Sequence, residues 1–533
     1  MSTAHLERVI RRRVKGLTLE LGPIQLILIA TIASLIVYLG SLYTQGIQAG
    51  FPLDDSWIHQ TFARNLAVRH EFAYNPGELS SGSTSPLWTL ILVPGFVLRV
   101  DSRLWAYLLG TVALATTGLL GRRLSLRLFP HASNLAVLVG LAVVLEWHLS
   151  WAAFSGMETT LFIAATLGLL VYWDRPAPFV GFLGGIATLL RPEGVVAFSL
   201  VVTARILSRC LALRSSEADA SSIRTKLKSL FLDGLTTLLS FSVVLAPYLA
   251  FNMVVAGQPL PTTFYAKHSA YGQGLSMALI TGYVTQVCSW LILGPILVLT
   301  PGLAFSLWSV AARGSVALHQ YRRGNFSYPE VDRLITGTML VAWCTALVFL
   351  YLIRLPVIYH HGRYLFPLLP VPILFGLWGT IRLGAILPYR ALVKVFVLAA
   401  GLYYVVLWVD GGVNKFAWDV KFINEEQVAT ATWLRENTAA TDEIATHDIG
   451  AIGFFSGRRV VDTAGLIVPT LGDRVRDQDA ILEFVRESGA AYFALFPKWY
   501  PKIATNPCFD TVFRIDLDYA AAQGDNMVVL KWR

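Results

Sequence analysis

Residues 24–43 read IQLILIATIASLIVYLGSLY, an unbroken apolar stretch behind a basic segment that contains Arg11, Arg12, Arg13 and Lys15. A helix needs about 20 apolar residues to cross the hydrocarbon core of a bilayer. The stretch is also longer than the apolar region of a cleaved signal peptide. It therefore predicts a retained first transmembrane helix.

Ten further apolar stretches continue this pattern along the 533 residues, of which 55% are hydrophobic and only 14% charged. A typical soluble chain carries about 25% charged residues, so most of this protein does not face water. The ten predicted spans are 104–120, 134–153, 158–173, 179–191, 194–206, 230–255, 290–311, 334–353, 364–382 and 391–409. Two shorter stretches, 86–100 and 277–289, are predicted to lie along the membrane surface as interfacial helices.

The distribution of charge orients these spans. Residues 1–409 hold 30 basic and 16 acidic residues, whereas residues 410–533 hold 13 basic and 18 acidic residues. Most of the basic residues lie between spans, which places those connections and the N-terminus in the cytoplasm by the positive-inside rule. An odd number of spans then puts the C-terminus outside. The basic excess reports topology, and it does not indicate a nucleic-acid partner.

The final part, 410–533, has the composition of a soluble domain. Residues 424–427 (NEEQ) resemble a capping box that opens a helix to Asn437. Strand-like runs follow at 443–447, 459–463, 490–496, 511–517 and 526–532, with a helix at 478–488 that ends at Gly489. We predict a membrane domain, 1–409, and an extracytoplasmic α/β domain, 410–533.

Residues 447–450 (HDIG) match a signature of metal phosphohydrolases. We interpret the match as a coincidence, because the phosphohydrolase fold is all-helical, whereas His447 here ends a predicted strand.

Two adjacent carboxylates, Asp54 and Asp55, follow the first span in the first outer loop, 44–103. One of them could simply cap the amphipathic helix that begins there, where the helix dipole favours negative charge. A second acid beside lipid headgroups exceeds that need, and charge near a bilayer is costly. We therefore interpret the pair as catalytic, with His59 as a supporting residue.

Three further charged residues are predicted to face outward. Glu158 lies where the third span turns into the fourth. Arg191 and Glu193 interrupt the apolar sequence where the fifth span meets the sixth. Arg191 and Glu193 could equally be a structural ion pair. All three are candidate site residues.

Basic residues also collect on the outer side, where positive charge is otherwise scarce. They are Lys267, His360, His361 and Arg363. Arginine and lysine are the usual ligands of phosphate, although such residues also extend to lipid headgroups at helix ends. A His-His-Gly-Arg cluster exceeds that second role, so we predict a bound anionic group.

These features indicate sugar transfer from a lipid phosphate. A carboxylate would accept the proton of the attacking hydroxyl, and the cations would stabilise the phosphate leaving group. No nucleotide-binding motif is present in the sequence. The alternative is a transporter or flippase of a lipid-linked intermediate, for which inverted repeats and broken helices at the membrane midplane are expected.

The chain resembles the GT-C superfamily of polyprenyl-phosphate-sugar glycosyltransferases, and within it the terminal β-arabinofuranosyltransferase family. The resemblance spans more than 400 residues and is carried by Asp54-Asp55, 63–66 (ARNL), 74–78 (YNPGE), Thr84-Ser85, Trp88-Thr89, Ser155-Gly156, Glu158, 190–193 (LRPE), Pro261-Thr262, Ala266-Lys267, 361–363 (HGR), Asp462, Gly465-Leu466 and Pro469. Gly194 and the additional His360 depart from the arabinosyltransferase pattern.

The resemblance implies an inverting transferase of the plasma membrane that acts in cell-wall biogenesis. Asp54 or Asp55 would be the base, Glu158 would support the site, and Lys267 and Arg363 would bind the donor phosphate. The acceptor would be a glycan, a glycolipid or a protein. The sugar could be mannose, aminoarabinose, galacturonic acid or arabinose. No cofactor is required, although a divalent cation held by Asp54, Asp55 and Glu158 is possible through oxygen ligands.

Overall fold

A computed structural model describes residues 21–214, 220–271, 276–322, 328–467, 474–518 and 526–533. The basic N-terminal segment and Pro469 lie outside these residues. The helices of the first part of the chain are Pro23–Thr44, Asp55–Arg69, Pro86–Val97, Ser102–Leu128, Ser133–Val144, Trp147–Phe154, Thr159–Val171, Ala177–Leu190, Gly194–Arg214, Ala220–Ala256, Thr262–Tyr271, Met277–Leu293, Thr300–Arg322, Tyr328–Arg354, Pro370–Ile386 and Arg390–Leu407.

Six helices of the described residues are long and apolar enough to cross a membrane, and two bent helix pairs would raise the number to eight. The bent pairs, with angles of 52° and 67°, coincide with the predicted spans 134–153 and 364–382. The other three predicted spans coincide with shorter apolar helices, Thr159–Val171, Ala177–Leu190 and 297–312. The total of eleven spans and the orientation of the termini stay predictions.

The last membrane helix continues far beyond its predicted end. Helical backbone runs without a break from 391 to 437, through π-helical segments at Trp408–Asn414 and Asn424–Val428. The predicted capping box at 424–427 is therefore wrong, because these residues lie inside a helix. Asn424 instead donates a hydrogen bond to the carbonyl of Gln48 at 2.9 Å, and Glu426 accepts one from the amide of Met527 at 2.9 Å.

The C-terminal part forms a five-stranded sheet in the order β2-β1-β3-β5-β4. The strands are β1 Glu443–Thr446, β2 Arg459–Asp462, β3 Tyr492–Leu495, β4 Phe509–Arg514 and β5 Val528–Trp532. β1 pairs in parallel with β2 and β3, whereas β5 pairs antiparallel with β3 and β4. The five predicted strands are confirmed, and so is the helix Gln478–Ser488 with its left-handed cap at Gly489.

A second short helix, Ile449–Phe455, connects β1 to β2 and is called the docking helix below. Its side chains belong to both the sheet core and the membrane-domain core: Ile449 and Ile452 pack in the first, and Ala451 packs in the second. The docking helix therefore joins the two parts of the chain.

Glycine permits a very close helix contact in the membrane domain. Helices Thr300–Arg322 and Pro370–Ile386 cross so tightly that a methyl group on Gly379 would overlap the carbonyl oxygen of Gly302. Small residues allow such backbone contact between membrane helices.

We expect Gly379→Ala to lower the unfolding temperature of the purified protein, because separating two packed helices costs about 1–3 kcal/mol. Gly337→Ala is the matched control, since a methyl group on that helical glycine meets no atom within 4 Å. An unfolding temperature that is equal for the two variants would contradict the tight crossing.

Candidate functional site

A cavity of about 500 Å³ lies between the membrane domain and the loops that follow its helices. Most of its wall is apolar. Its charged lining residues are Asp55, Glu158, Arg191, Glu193, Lys267, Arg354 and Arg363. The structure thus brings together six of the acids and cations that the sequence placed in separate loops, together with the additional Arg354.

Asp55 and Arg363 form the central ion pair of this cavity. Arg363 Nη2 donates to Asp55 Oδ2 at 2.5 Å and to the hydroxyl of Tyr364 at 3.2 Å. The Arg363 side chain is only 6% exposed, whereas that of Asp55 is 34% exposed. Arg363 Nε and Nη1 have no hydrogen-bond partner among the described residues. Two buried N–H groups of Arg363 therefore remain available to a ligand.

The charge of Asp55 is set by its neighbours. Burial alone would raise the pKa of Asp55, but the positive charges of Arg363 and Lys267 outweigh this effect. The pKa of Asp55 therefore lies well below its ordinary value, and the group is a carboxylate throughout the neutral range.

A second polar network lies on the same wall. Arg191 Nη1 donates to Glu158 Oε1 at 3.1 Å, and Arg191 Nη2 donates to Glu193 Oε1 at 3.1 Å. Tyr351 accepts a bond from Arg191 Nη2 at 3.0 Å and donates its own hydroxyl hydrogen to Glu193. His59 Nε2 lies 3.5 Å from Glu158 Oε2. Arg191 and Glu193 are thus an ion pair, as their spacing allowed, and the pair also lines the cavity.

Asp54 does not line this cavity. Its Oδ2 accepts a hydrogen bond from the amide of Gly450 at 2.6 Å, and its Oδ1 accepts one from Ala451 at 2.7 Å. Asp54 therefore caps the docking helix of the C-terminal part, although it belongs to the first outer loop. Burial and repulsion from Asp448 raise the pKa of Asp54 well above its ordinary value.

The same outer-loop helix also binds the other end of the docking helix. Arg64 Nη1 donates to the carbonyl of Phe454 at 2.7 Å. A hydrogen-bond acceptor from the first outer loop then lies at the N-terminus of the docking helix and a donor at its C-terminus, which satisfies backbone groups that a helix leaves free.

His360 and His361 are also absent from the cavity wall. His361 Nε2 lies 2.8 Å from Asp419 Oδ2, on the helix Lys415–Ile423. The backbone is left-handed at three successive residues, with φ values of 48° at His360, 62° at His361 and 82° at Gly362. After this turn, Arg363 contacts Asp55, while His361 contacts the helix. The role of the two histidines as phosphate ligands stays a prediction.

The predicted metal site is not assembled. Among the residues described, no group of three or more His, Cys, Asp or Glu side chains could hold a metal ion. Both oxygens of Asp54 accept backbone N–H groups, and Glu158 binds Arg191. The residues therefore do not fit the cation that the resemblance allows.

Sequence reasoning missed Tyr351 and Tyr364. Each is a single aromatic residue within or beside an apolar span, and nothing in the sequence distinguishes it from the other tyrosines. Tyr364 adjoins Arg363, and this proximity was the one available signal.

Comparison with solved structures finds the same fold in membrane proteins. The chain superposes on an oligosaccharyltransferase from Archaeoglobus fulgidus in complex with zinc and sulfate, with a TM-score of 0.55 and 13% identity over 89% of this chain and 68% of that one. AglB from the same organism, bound to an inhibitory peptide and a dolichol-phosphate, gives 0.54 and 12% over 89% and 69%. ArnT from Cupriavidus metallidurans, bound to undecaprenyl phosphate, gives 0.54 and 16% over 94% and 97%. The predicted GT-C-like fold class is confirmed.

Comparison by sequence adds one finding. A family model described as a domain of unknown function (DUF8728) matches residues 419–529, which include the sheet and the docking helix. No curated protein matches the chain.

We expect Asp54→Ala to loosen the C-terminal part, because it leaves two buried N–H groups without an acceptor at about 1–3 kcal/mol each. Limited proteolysis should cut the C-terminal part of Asp54→Ala faster than that of the wild type. Asp55→Asn is the control and should be cut at the wild-type rate; equal protection of both variants would contradict the capping role.

Proposed function

We propose that this protein is an inverting glycosyltransferase that moves a sugar from a polyprenyl-phosphate donor to an acceptor hydroxyl. One observation carries the proposal: the Asp55 carboxylate lies within electrostatic reach of two cations, Arg363 and Lys267, on the wall of a mostly apolar cavity. Such a cavity suits an amphipathic donor whose phosphate and sugar are polar and whose chain is a hydrocarbon.

The apolar wall suits the lipid chain of the donor. It is contributed in part by Phe241, Leu245 and Leu249 of the helix Ala220–Ala256. Dolichol-phosphate and undecaprenyl phosphate are bound to AglB and ArnT in structures that share this fold. These observations support a lipid-linked donor over a water-soluble one.

The cations suit the donor phosphate. Arg363 offers Nε and Nη1 as unpaired donors, and Lys267 adds a point charge on the same cavity wall. Charge-assisted bonds of this kind would stabilise the phosphate as the bond to the anomeric carbon breaks and negative charge accumulates on the leaving oxygen.

Asp55 is the proposed general base, and donor binding would activate it. In the free protein Arg363 and Lys267 stabilise the carboxylate and make it a weak base. A donor phosphate would compete for both cations, so the pKa of Asp55 would rise toward the value at which proton transfer is efficient. Asp55 would then accept the proton of the acceptor hydroxyl as its oxygen attacks the anomeric carbon.

The charge of the cavity favours a neutral sugar. Three acids and four bases among its lining residues leave one net positive charge, with His59 neutral because burial lowers its pKa. A polyprenyl phosphodiester carries one negative charge, which balances this excess. Arabinofuranose or another uncharged pentose or hexose fits this balance, whereas aminoarabinose or galacturonic acid would leave an unpaired charge. We propose a glycan, glycolipid or protein of the cell envelope as the acceptor.

The deciding experiment identifies the donor directly. Lipid that co-purifies with the protein is analysed by mass spectrometry, and pure protein is then incubated with synthetic polyprenyl-phospho-sugars. Release of polyprenyl phosphate from a neutral-sugar donor is the expected result. A lipid-linked sugar that crosses a proteoliposome membrane without any release would instead indicate a flippase.

Asp55→Asn should reduce the transfer rate by about 10²–10⁴-fold, the usual contribution of a general base. Donor binding should persist, because the amide still occupies the cavity without repelling the phosphate. The rate is measured as polyprenyl phosphate released, with Asp479→Asn, an exposed acid of the C-terminal part, as the matched control. Full activity in Asp55→Asn would exclude this base.

Arg363→Ala should weaken donor binding about tenfold or more, since a hydrogen bond to a charged group contributes about 1.5–3 kcal/mol. It should also raise the pKa of Asp55, because Arg363 is the main group that lowers it. The acid limb of the pH–rate profile should therefore move to higher pH. Arg103→Ala, which removes an exposed arginine paired with Asp101, is the control. Equal losses of donor and acceptor affinity with an unmoved acid limb would contradict the phosphate role.

A further inference from the structure

The sheet of the C-terminal part has a topological switch point. From β1 the chain passes through the docking helix to β2 on one side, and then through the helix Gln478–Ser488 to β3 on the other side of β1. In open sheets of this kind, ligands bind outside the carboxyl ends of the strands, at the point where the strand order reverses. Here that point lies between the ends of β1 and β3.

His447 occupies this point, because it directly follows β1. The residue is 5% exposed, and neither of its ring nitrogens has a hydrogen-bond partner among the residues that the structure describes. Burial lowers the pKa of His447, so the ring is neutral, with one nitrogen that donates and one that accepts. An unsatisfied buried polar group costs about 1–3 kcal/mol, which a suitably placed ligand would recover.

The groups around His447 are aromatic and acidic. The rings of Trp499 and Tyr500, which follow β3, lie 5.1 and 5.0 Å from the imidazole ring. Trp499 is 62% exposed, and the neighbouring Asp448 carboxylate is 23% exposed, 3.8 Å from His447 Nε2. The site thus combines an exposed indole with a buried neutral imidazole and a partly exposed carboxylate.

This chemistry selects among ligand classes. An anion is disfavoured by Asp448 and by Asp462, which lies at the end of β2. A metal ion would need more ligands than the described residues bring together here. Hydroxyl groups both donate to Asp448 and exchange hydrogen bonds with a neutral imidazole, and the apolar face of a sugar ring stacks on an exposed indole.

We propose that His447, Asp448 and Trp499 form a saccharide-binding site at the switch point of the C-terminal sheet. Resting on the proposed function, we further infer that this site holds a sugar of the acceptor glycan.

The location of the site suits this role. Asp448 lies two residues before Gly450, whose amide binds Asp54, and Asp54 adjoins the proposed base Asp55. In the segment that follows the neighbouring strand β2, Leu466 lies four residues after Asp462 and forms part of the cavity wall. A glycan bound at the switch point would therefore lie beside the cavity in which its terminal hydroxyl reacts.

The test uses the full-length protein in nanodiscs, with tetrasaccharides of arabinofuranose, mannose and galactose as probes in titration calorimetry. Trp499→Ala should weaken binding of the preferred tetrasaccharide about tenfold, as expected for loss of one aromatic stacking partner. Trp499 is exposed, so its removal should leave the unfolding temperature unchanged. Trp308→Ala is the matched control, because Trp308 is similarly exposed (66%) and lies in the membrane domain. His447→Gln should weaken binding by a similar factor if it remains folded.

The outcomes separate this site from the proposed reaction. Asp55→Asn should bind the tetrasaccharide normally while transferring no sugar, and Trp499→Ala should raise the KM for the acceptor without changing that for the donor. If the tetrasaccharide binds in a way that depends on Trp499 but no donor transfers its sugar, the proposed function is refuted and the saccharide-binding site is supported. Wild-type protein that binds none of the tetrasaccharides, or binding that survives Trp499→Ala, would overturn the site.

Discussion

The Asp54 carboxylate joins the two parts of the molecule, and the arrangement of the cavity depends on this contact. It accepts hydrogen bonds from the amides of Gly450 and Ala451 at the start of the docking helix, while Arg64 from the outer-loop helix Asp55–Arg69 binds a carbonyl at its end. The docking helix is therefore held at both ends by side chains of the first outer loop. Because Asp55 is the next residue along the chain, the position of the C-terminal part helps to fix the position of the proposed base.

Much of this architecture could be predicted from the sequence. Apolar stretches of sufficient length, the basic connections between them, and the alternating runs of the last hundred residues depend on local pattern, which a single sequence displays. The five strands and the helix that ends at Gly489 were predicted for this reason. The capping box at 424–427 failed because the same letters can begin a helix or lie within one. Here the side chains of Asn424 and Glu426 bind Gln48 and Met527, contacts that lie far away in the sequence.

The charged residues of the candidate site could be predicted from the sequence, but their hydrogen-bond partners could not. Glu158, Lys267 and Arg363 attract attention because charge is rare in an apolar chain. Tyr351 carries no such signal, since its role arises only when the helix Tyr328–Arg354 brings its hydroxyl to Glu193. The contact of His361 with Asp419 could not be predicted, because Asp419 lies on a helix that the sequence did not place beside it.

Asp54 and Asp55 show most clearly why adjacency in sequence does not predict role. Successive residues at a helix start point about 100° apart, so one carboxylate enters the C-terminal part and the other enters the cavity. Asp54 meets backbone amides and the like charge of Asp448, and Asp55 meets Arg363 and Lys267. Their pKa values are therefore displaced in opposite directions. Two acids separated in this way serve different purposes. Asp54 holds the C-terminal part in place, and Asp55 faces the cavity in which we propose that the sugar is transferred.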